Sequence, residues 1–199
     1  MKKLSERVPA VFRNLAGLYP GSVDENWEQE VELVRRSAME DGAVAIGEIG
    51  LDYHYSKESA GLQKAALKAQ LELAAELDLP VNIHLREAEN DFFEVLESCR
   101  HLGLSGNLHA FSGSVETFRR IEKYGDWYVG IGGVLTFKNA RVAESLKSIP
   151  LDRIVLETDS PYLTPVPYRG RRNESSYIPV IAAAVAGLKV TRVDEVAGV

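Results

Sequence analysis

Four residues able to bind a metal ion each close a short apolar run: Glu48 in GEIGLD, His84 in VNIHLREAE, His109 in GNLHAFSGS and Asp159 in LETDSPYL. A carboxylate at the tip of a buried strand is costly unless it is paired or bound to a cation. Two imidazoles and two carboxylates converging on one mouth would make a mixed nitrogen and oxygen site for a divalent ion. Asp159 would then face the ion or its water. Each residue also has a plainer interpretation. A single strand-end histidine is more often a hydrogen-bonded structural residue. Glu48 could cap a helix or pair with a lysine, and Asp159 before Ser-Pro could build a turn. What favours a metal is the joint placement at one edge. His54 follows closely enough to support such a site, whereas His101 sits late in a helix as a solvated charge partner for its C-terminus.

A second cluster, PVPYRGRRNESSY at residues 165–177, puts Arg169, Arg171 and Arg172 in a Pro/Gly loop beside Asp159. Guanidinium forks suit phosphodiester oxygens. Arg86, two residues past His84, reaches the same edge. Tyr162 and Tyr168 could stack on a base or simply pack. The loop could equally be a solvated basic surface.

The elements that must position these residues alternate regularly. A weak apolar run at residues 11–18 is followed by a helix with Asp24 as its N-cap and Trp27, Val31, Val34 and Ala38 on one face. AVAIGEIGLD (43–52) reads as a buried strand, LQKAALKAQLELAAEL (62–77) as a helix and VNIH (81–84) as a strand. Phe92, Val95, Leu96, Cys99 and Leu102 mark the inward face of the next helix. Then come GNLHAF (106–111), a helix capped by Ser114 that carries Phe118 and Ile121, and WYVGIGGVL (127–135). A helix near 140–147, the strand RIVLET (153–158), a helix over 177–188 with Pro179 in its first turn, and a final helix from Thr191 complete the chain. Near-continuous apolar strands alternating with helices predict an α/β protein with a parallel sheet. Its active edge should be the C-terminal one. Six strands would suit an open doubly wound sheet, while a TIM barrel needs eight and about 250 residues.

With 199 residues, 45% of them hydrophobic, the chain can bury a core and is expected to form one domain over 1–199. A net charge of -6 argues against gripping nucleic acid by bulk positive charge, though a local basic patch or a metal could do so. The single cysteine, Cys99, forbids an internal disulfide and fits a reducing compartment. No apolar run approaches a membrane span and Met-Lys-Lys-Leu-Ser-Glu leads into no signal core, so a cytoplasmic protein without membrane partners is expected.

GEIGLDYHY, NIHLREAE, LHAFSGS and ETDSPYLTPVPYRGRRNE together resemble the TatD family of metal-dependent deoxyribonucleases, in order over residues 11–198. The resemblance implies an amidohydrolase-like (β/α)8 TIM barrel and hydrolysis of phosphodiester bonds in DNA, possibly RNA, by a metal-activated water. It implies two divalent ions in the complete enzyme: Mg, Mn or Zn. Glu48 would bridge them, His84 and His109 would bind one, and Asp159 would bind the other or handle the water's proton. Arg86, Arg169 and Arg171 would contact substrate phosphate. Family members begin with a strand bearing His-x-His, whereas the first histidine here is His54. Tyr19 in Gly-Leu-Tyr-Pro stands where a histidine is usual, and Ser175 where proline is common. The chain is therefore expected to be a partial barrel lacking two βα units and the end of the last helix, nearly inactive on its own and prone to poor solubility or self-association. Two rivals remain: an amidohydrolase-type enzyme acting on C–N or ester bonds, and a non-catalytic binding scaffold.

Overall fold

In a computed structural model that describes residues 12–198, six strands alternate with seven helices. The strands are β1 (Leu15–Ala16), β2 (Ala45–Asp52), β3 (Val81–Arg86), β4 (Gly106–Leu108), β5 (Trp127–Ile131) and β6 (Ile154–Leu156). The helices are α1 (Trp27–Glu40), α2 (Ala60–Glu76), α3 (Glu89–Ser98), α4 (Val115–Ile121), α5 (Val142–Ser148), α6 (Ile178–Lys189) and α7 (Val193–Ala197). Strand order in the sheet follows chain order, β1 to β6, the α/β class expected. The chain divides into two compact units: Met1–Asn107 with Tyr124–Asp126, and Leu108–Lys123 with Trp127–Val199.

In the first unit β2 pairs in parallel with β1, Leu15 opposite Ala45, and with β3, from Ile46 opposite Val81 to Asp52 opposite Arg86. The register slips between Gly47 and Ile49, so Glu48 is an extra residue with no partner position on β3. Such a bulge re-aims a side chain and favours sites of chemistry. At Gly50 the chain has φ +147°, and a Cβ there would lie 1.9 Å from the carbonyl oxygen of His84. Only glycine lets β2 run this close to β3. Ile46, Ile49, Leu51, Ile83, Phe92 and Phe93 are fully buried.

Helix α2 covers β2 with Ala66, Leu67, Leu71 and Ala74. It also buries two glutamines on the same face. The Gln70 Oε1 accepts from Leu18 N–H (2.7 Å) and its Nε2 donates to Leu18 O (3.3 Å). Gln63 treats Asp52 the same way, at 2.9 and 3.2 Å. Each amide thus acts as a surrogate strand partner where the sheet has ended. The N-cap of α1 is Asn26 rather than Asp24, whose Oδ1 instead accepts the Asn26 N–H at 2.8 Å. Val11, where the weak apolar run begins, lies outside the described residues; β1 is the Leu15–Ala16 dipeptide within that run.

In the second unit β5 and β6 pair in parallel, Val129 opposite Ile154. Trp127, Val129 and Ile131 are buried, and α6, which packs against β6 and the turn at Gly133–Thr136, buries Ile181, Ala182, Val185 and Ala186. Ser114 caps α4 as expected, in a reciprocal box with Thr117. The strand expected over 127–135 stops at Ile131 and coils into one 3-10 turn, Gly133–Thr136. A Cβ at Gly133 would meet Leu163 O at 2.1 Å, so the backbone crossing there displaces sheet pairing. β6 is also less buried than its apolar sequence suggests, with Val155 43% exposed. It stands last in the strand order, beside β5. No helix among the described residues is long and apolar enough to cross a membrane.

Candidate metal centre

Each unit gathers one imidazole between two carboxylates. In the first unit, His84 Nδ1 lies 2.8 Å from Glu48 Oε1, and its Nε2 lies 2.9 Å from Asp52 Oδ2. Asp52 ends β2 and is firmly held: its Oδ1 accepts the backbone N–H of His54 at 2.9 Å, and the Tyr19 hydroxyl donates to Oδ2 at 3.5 Å. The Tyr19 ring also meets the His84 ring edge-on, centroids 5.2 Å apart. His54 therefore supports the cluster through its backbone, while its own ring pairs with Glu87 at 2.6 Å. Arg86 lies over Tyr55, 5.8 Å from the ring centroid.

In the second unit, His109 stands one residue past β4. Its Nδ1 lies 2.8 Å from Glu157 Oε2, and its Nε2 lies 3.4 Å from Asp159 Oδ1. Glu157 also accepts the Ala110 N–H at 2.6 Å. Ala110 and Asp159 both adopt left-handed backbone, φ +46° and +57°, an uncommon state that concentrates at functional sites. Buried Asn173 anchors the Asp159 loop. It donates through Nδ2 to Thr158 O (2.6 Å) and Tyr162 O (2.5 Å), and through its backbone to Pro161 O.

Exposure separates the two carboxylates of each trio. The Asp52 and Glu157 side chains are 7% and 14% exposed, whereas Glu48 and Asp159 are 34% and 35% exposed. The buried member fixes one ring nitrogen as an N–H donor, which leaves the opposite nitrogen on the open side. That nitrogen is Nδ1 in His84 and Nε2 in His109. Among the described residues, no three His, Cys, Asp or Glu side chains already stand in metal-holding geometry. The donors come instead as imidazole–carboxylate pairs, hydrogen-bonded through the nitrogen a cation would take. Their chemistry, a neutral nitrogen beside a hard oxygen with a carboxylate behind it, fits a divalent ion.

Electrostatics in the first trio follows from the contacts. Burial disfavours a charged His84 ring, but the hydrogen bonds to Glu48 and Asp52 outweigh it and raise the ring's pKa above its ordinary value. Burial likewise disfavours an ionised Asp52. The His54 N–H and the His84 ring overcome that penalty and hold the carboxyl below its usual range. Protonation of His84 therefore stabilises the metal-free fold fully below the ordinary histidine value of about 6.5, and that contribution is lost as pH rises through the higher folded value. The expected outcome is a melting temperature that falls, relative to His84→Gln, as metal-free protein is taken from about pH 6 to about pH 9. Parallel curves for the two proteins would contradict it.

In the arginine loop, the Arg169 guanidinium lies 3.9 Å over the Phe137 ring centroid, and Arg171 lies 6.0 Å from that of Tyr168. Tyr168 stacks on Tyr177 at 4.5 Å, so one face of its ring serves packing. Tyr162 is 70% exposed. Asp52, Glu157 and Asn173 were not anticipated as site residues. Asp52 closes the same GEIGLD run as Glu48, and Glu157 precedes Asp159 by two residues, the spacing that returns a strand to one face.

The chain matches the TatD-related DNase family over residues 1–199. It belongs to that family. Metal-dependent hydrolase YabD of Bacillus subtilis is 39% identical over 184 residues, covering 92% of this chain and 72% of the relative. A protein of Pantoea vagans named 3'-5' ssDNA/RNA exonuclease TatD is 36% identical over 203 residues, covering 98% and 77%. Among solved structures, the TatD homologue YJJV of Escherichia coli superposes with a TM-score of 0.86 at 25% identity, over 99% of this chain and 76% of its own. TatD membership accords with the α/β fold.

Proposed function

We propose that the chain is a divalent-metal-dependent phosphodiester hydrolase that trims the ends of single-stranded nucleic acid, DNA or RNA. The observation that carries this is the paired trio: each imidazole is held from behind by a buried carboxylate and faced by an open one. Relatives named metal-dependent hydrolases and single-strand exonucleases support it.

Glu48 and His84 in the first unit, and His109 and Asp159 in the second, would supply the metal ligands. When bound, a divalent cation lowers the pKa of a water and offsets charge on phosphate oxygens. The protein's own groups do the rest. Asp52 and Glu157 fix the two rings and their tautomers. Asp159, half-exposed on a strained turn, can take a proton at its carboxylate. Arg86, Arg169 and Arg171 bring guanidinium donors to the phosphate.

The test is shortening of an end-labelled single strand under single-turnover conditions, which read even slow cleavage. Loss of label with Mn or Mg, and none with chelator, is the expected result. Turnover of amides or lactones with the strand left intact would overturn it in favour of C–N or ester hydrolysis.

A further inference from the structure

Resting on the strand-trimming activity just described, we propose that a basic pocket in the second unit, lined by Phe137, Lys138, Arg141 and Arg169, binds the backbone phosphates of the single-stranded substrate. The pocket encloses about 670 Å³ and is also lined by Ser112 and Asn139. It lies within the size range of ligand sites.

Charge is the first argument. The chain carries a net -6, yet three cations line this one concavity and no carboxylate does. Among the described residues, none of the ion pairs involves Lys138, Arg141 or Arg169. Surface lysines and arginines elsewhere are commonly paired, as Arg35 is with Glu76 and Lys64 with Glu94. Unpaired cations around a concave surface focus potential and attract a polyanion.

Geometry is the second. Arg169 is braced on the Phe137 ring at 3.9 Å, so its guanidinium is held in place. The ring thus serves to brace a guanidinium that can meet a phosphate, one of the cations that track a single strand's backbone. Position is the third. The pocket shares Val134 and Val142 with the cavity lined by Glu157, Thr158 and Asp159. A strand whose end lies at Asp159 would lay its next phosphates along Lys138 and Arg141.

The experiment is the affinity of a fluorescein-labelled oligothymidylate for the whole chain, read by anisotropy over a salt series. The double variant Lys138→Glu/Arg141→Glu is compared with Arg36→Glu/Lys68→Glu, which changes net charge equally. The pocket variant should bind at least tenfold more weakly, and the slope of log affinity against log salt should flatten by about 1.4, two contacts at about 0.7 each. The control should change far less. Equal losses in both variants, unchanged binding in the pocket variant, or no binding by the parent would overturn the subsite. Far-UV circular dichroism and melting check that both variants fold. Binding lost through the pocket while the parent fails to cut would retain the subsite and reject the hydrolase; cutting with pocket-independent binding would do the reverse.

Discussion

Glu48→Gln is expected to abolish stoichiometric metal binding and, with it, metal-dependent hydrolysis. The substitution keeps the size of the side chain and an oxygen for His84, so folding should be preserved. What it removes is the formal charge at the open position of the first trio. Losing a partner that merely orients a ligand costs roughly 10–100-fold in metal affinity or activity. Loss of a ligand should exceed about 100-fold, and Glu157→Gln, which touches only an orienting group, should fall within the smaller range. Titration with Mn, followed by calorimetry, separates the cases. A Glu48→Gln protein that binds metal like its parent would leave only a scaffold at this strand end.

Gly50→Ala is expected to lower stability by about 3 kcal/mol or more, out of the roughly 5–15 kcal/mol that a domain possesses. The new methyl would sit 1.9 Å from His84 O and 3.0 Å from His84 N, on backbone at φ +147° that L-residues avoid. Relief requires β2 and β3 to separate. The His84 contacts at 2.8 and 2.9 Å stretch with them, so metal affinity should drop together with stability. At roughly 2–4 °C per kcal/mol for a chain of this size, the melting midpoint should fall by about 6–12 °C. Urea denaturation within about 1 kcal/mol of the parent would mean that the two strands are not locked through this glycine.

Much of this architecture was legible because it follows from local rules. Alternating apolar runs and helices gave the parallel order, Ser114 its capping role, and Pro179 the start of α6. The rule that strand ends share an edge grouped Glu48, His84, His109 and Asp159 as one set around a common ion cluster; the contacts within each unit join His84 to Glu48 and His109 to Asp159. The extent of the strands was less legible. Gly133 packs against the backbone of Leu163, thirty residues on, and no local pattern announces that crossing. The orienting groups escaped for a similar reason. Asp52 and Glu157 matter through which ring nitrogen they touch, and Asn173 through two carbonyls of a loop more than ten residues away. Tyr19 belongs with them: its hydroxyl and ring rest on Asp52 and His84, both far along the chain.

The glutamines of α2 carry a consequence for how this site tolerates change. Gln63 and Gln70 are seven residues apart, about 10.5 Å along the helix, and each clasps the chain just where β2 or β1 gives out. The helix therefore works as a caliper: a rigid rod with two jaws that sets the gap between the Tyr19 turn and the Asp52 tip. Loops hung beyond those jaws can be rewritten over generations without moving the ligands. A shift of one jaw along the rod would reset the spacing in a single step.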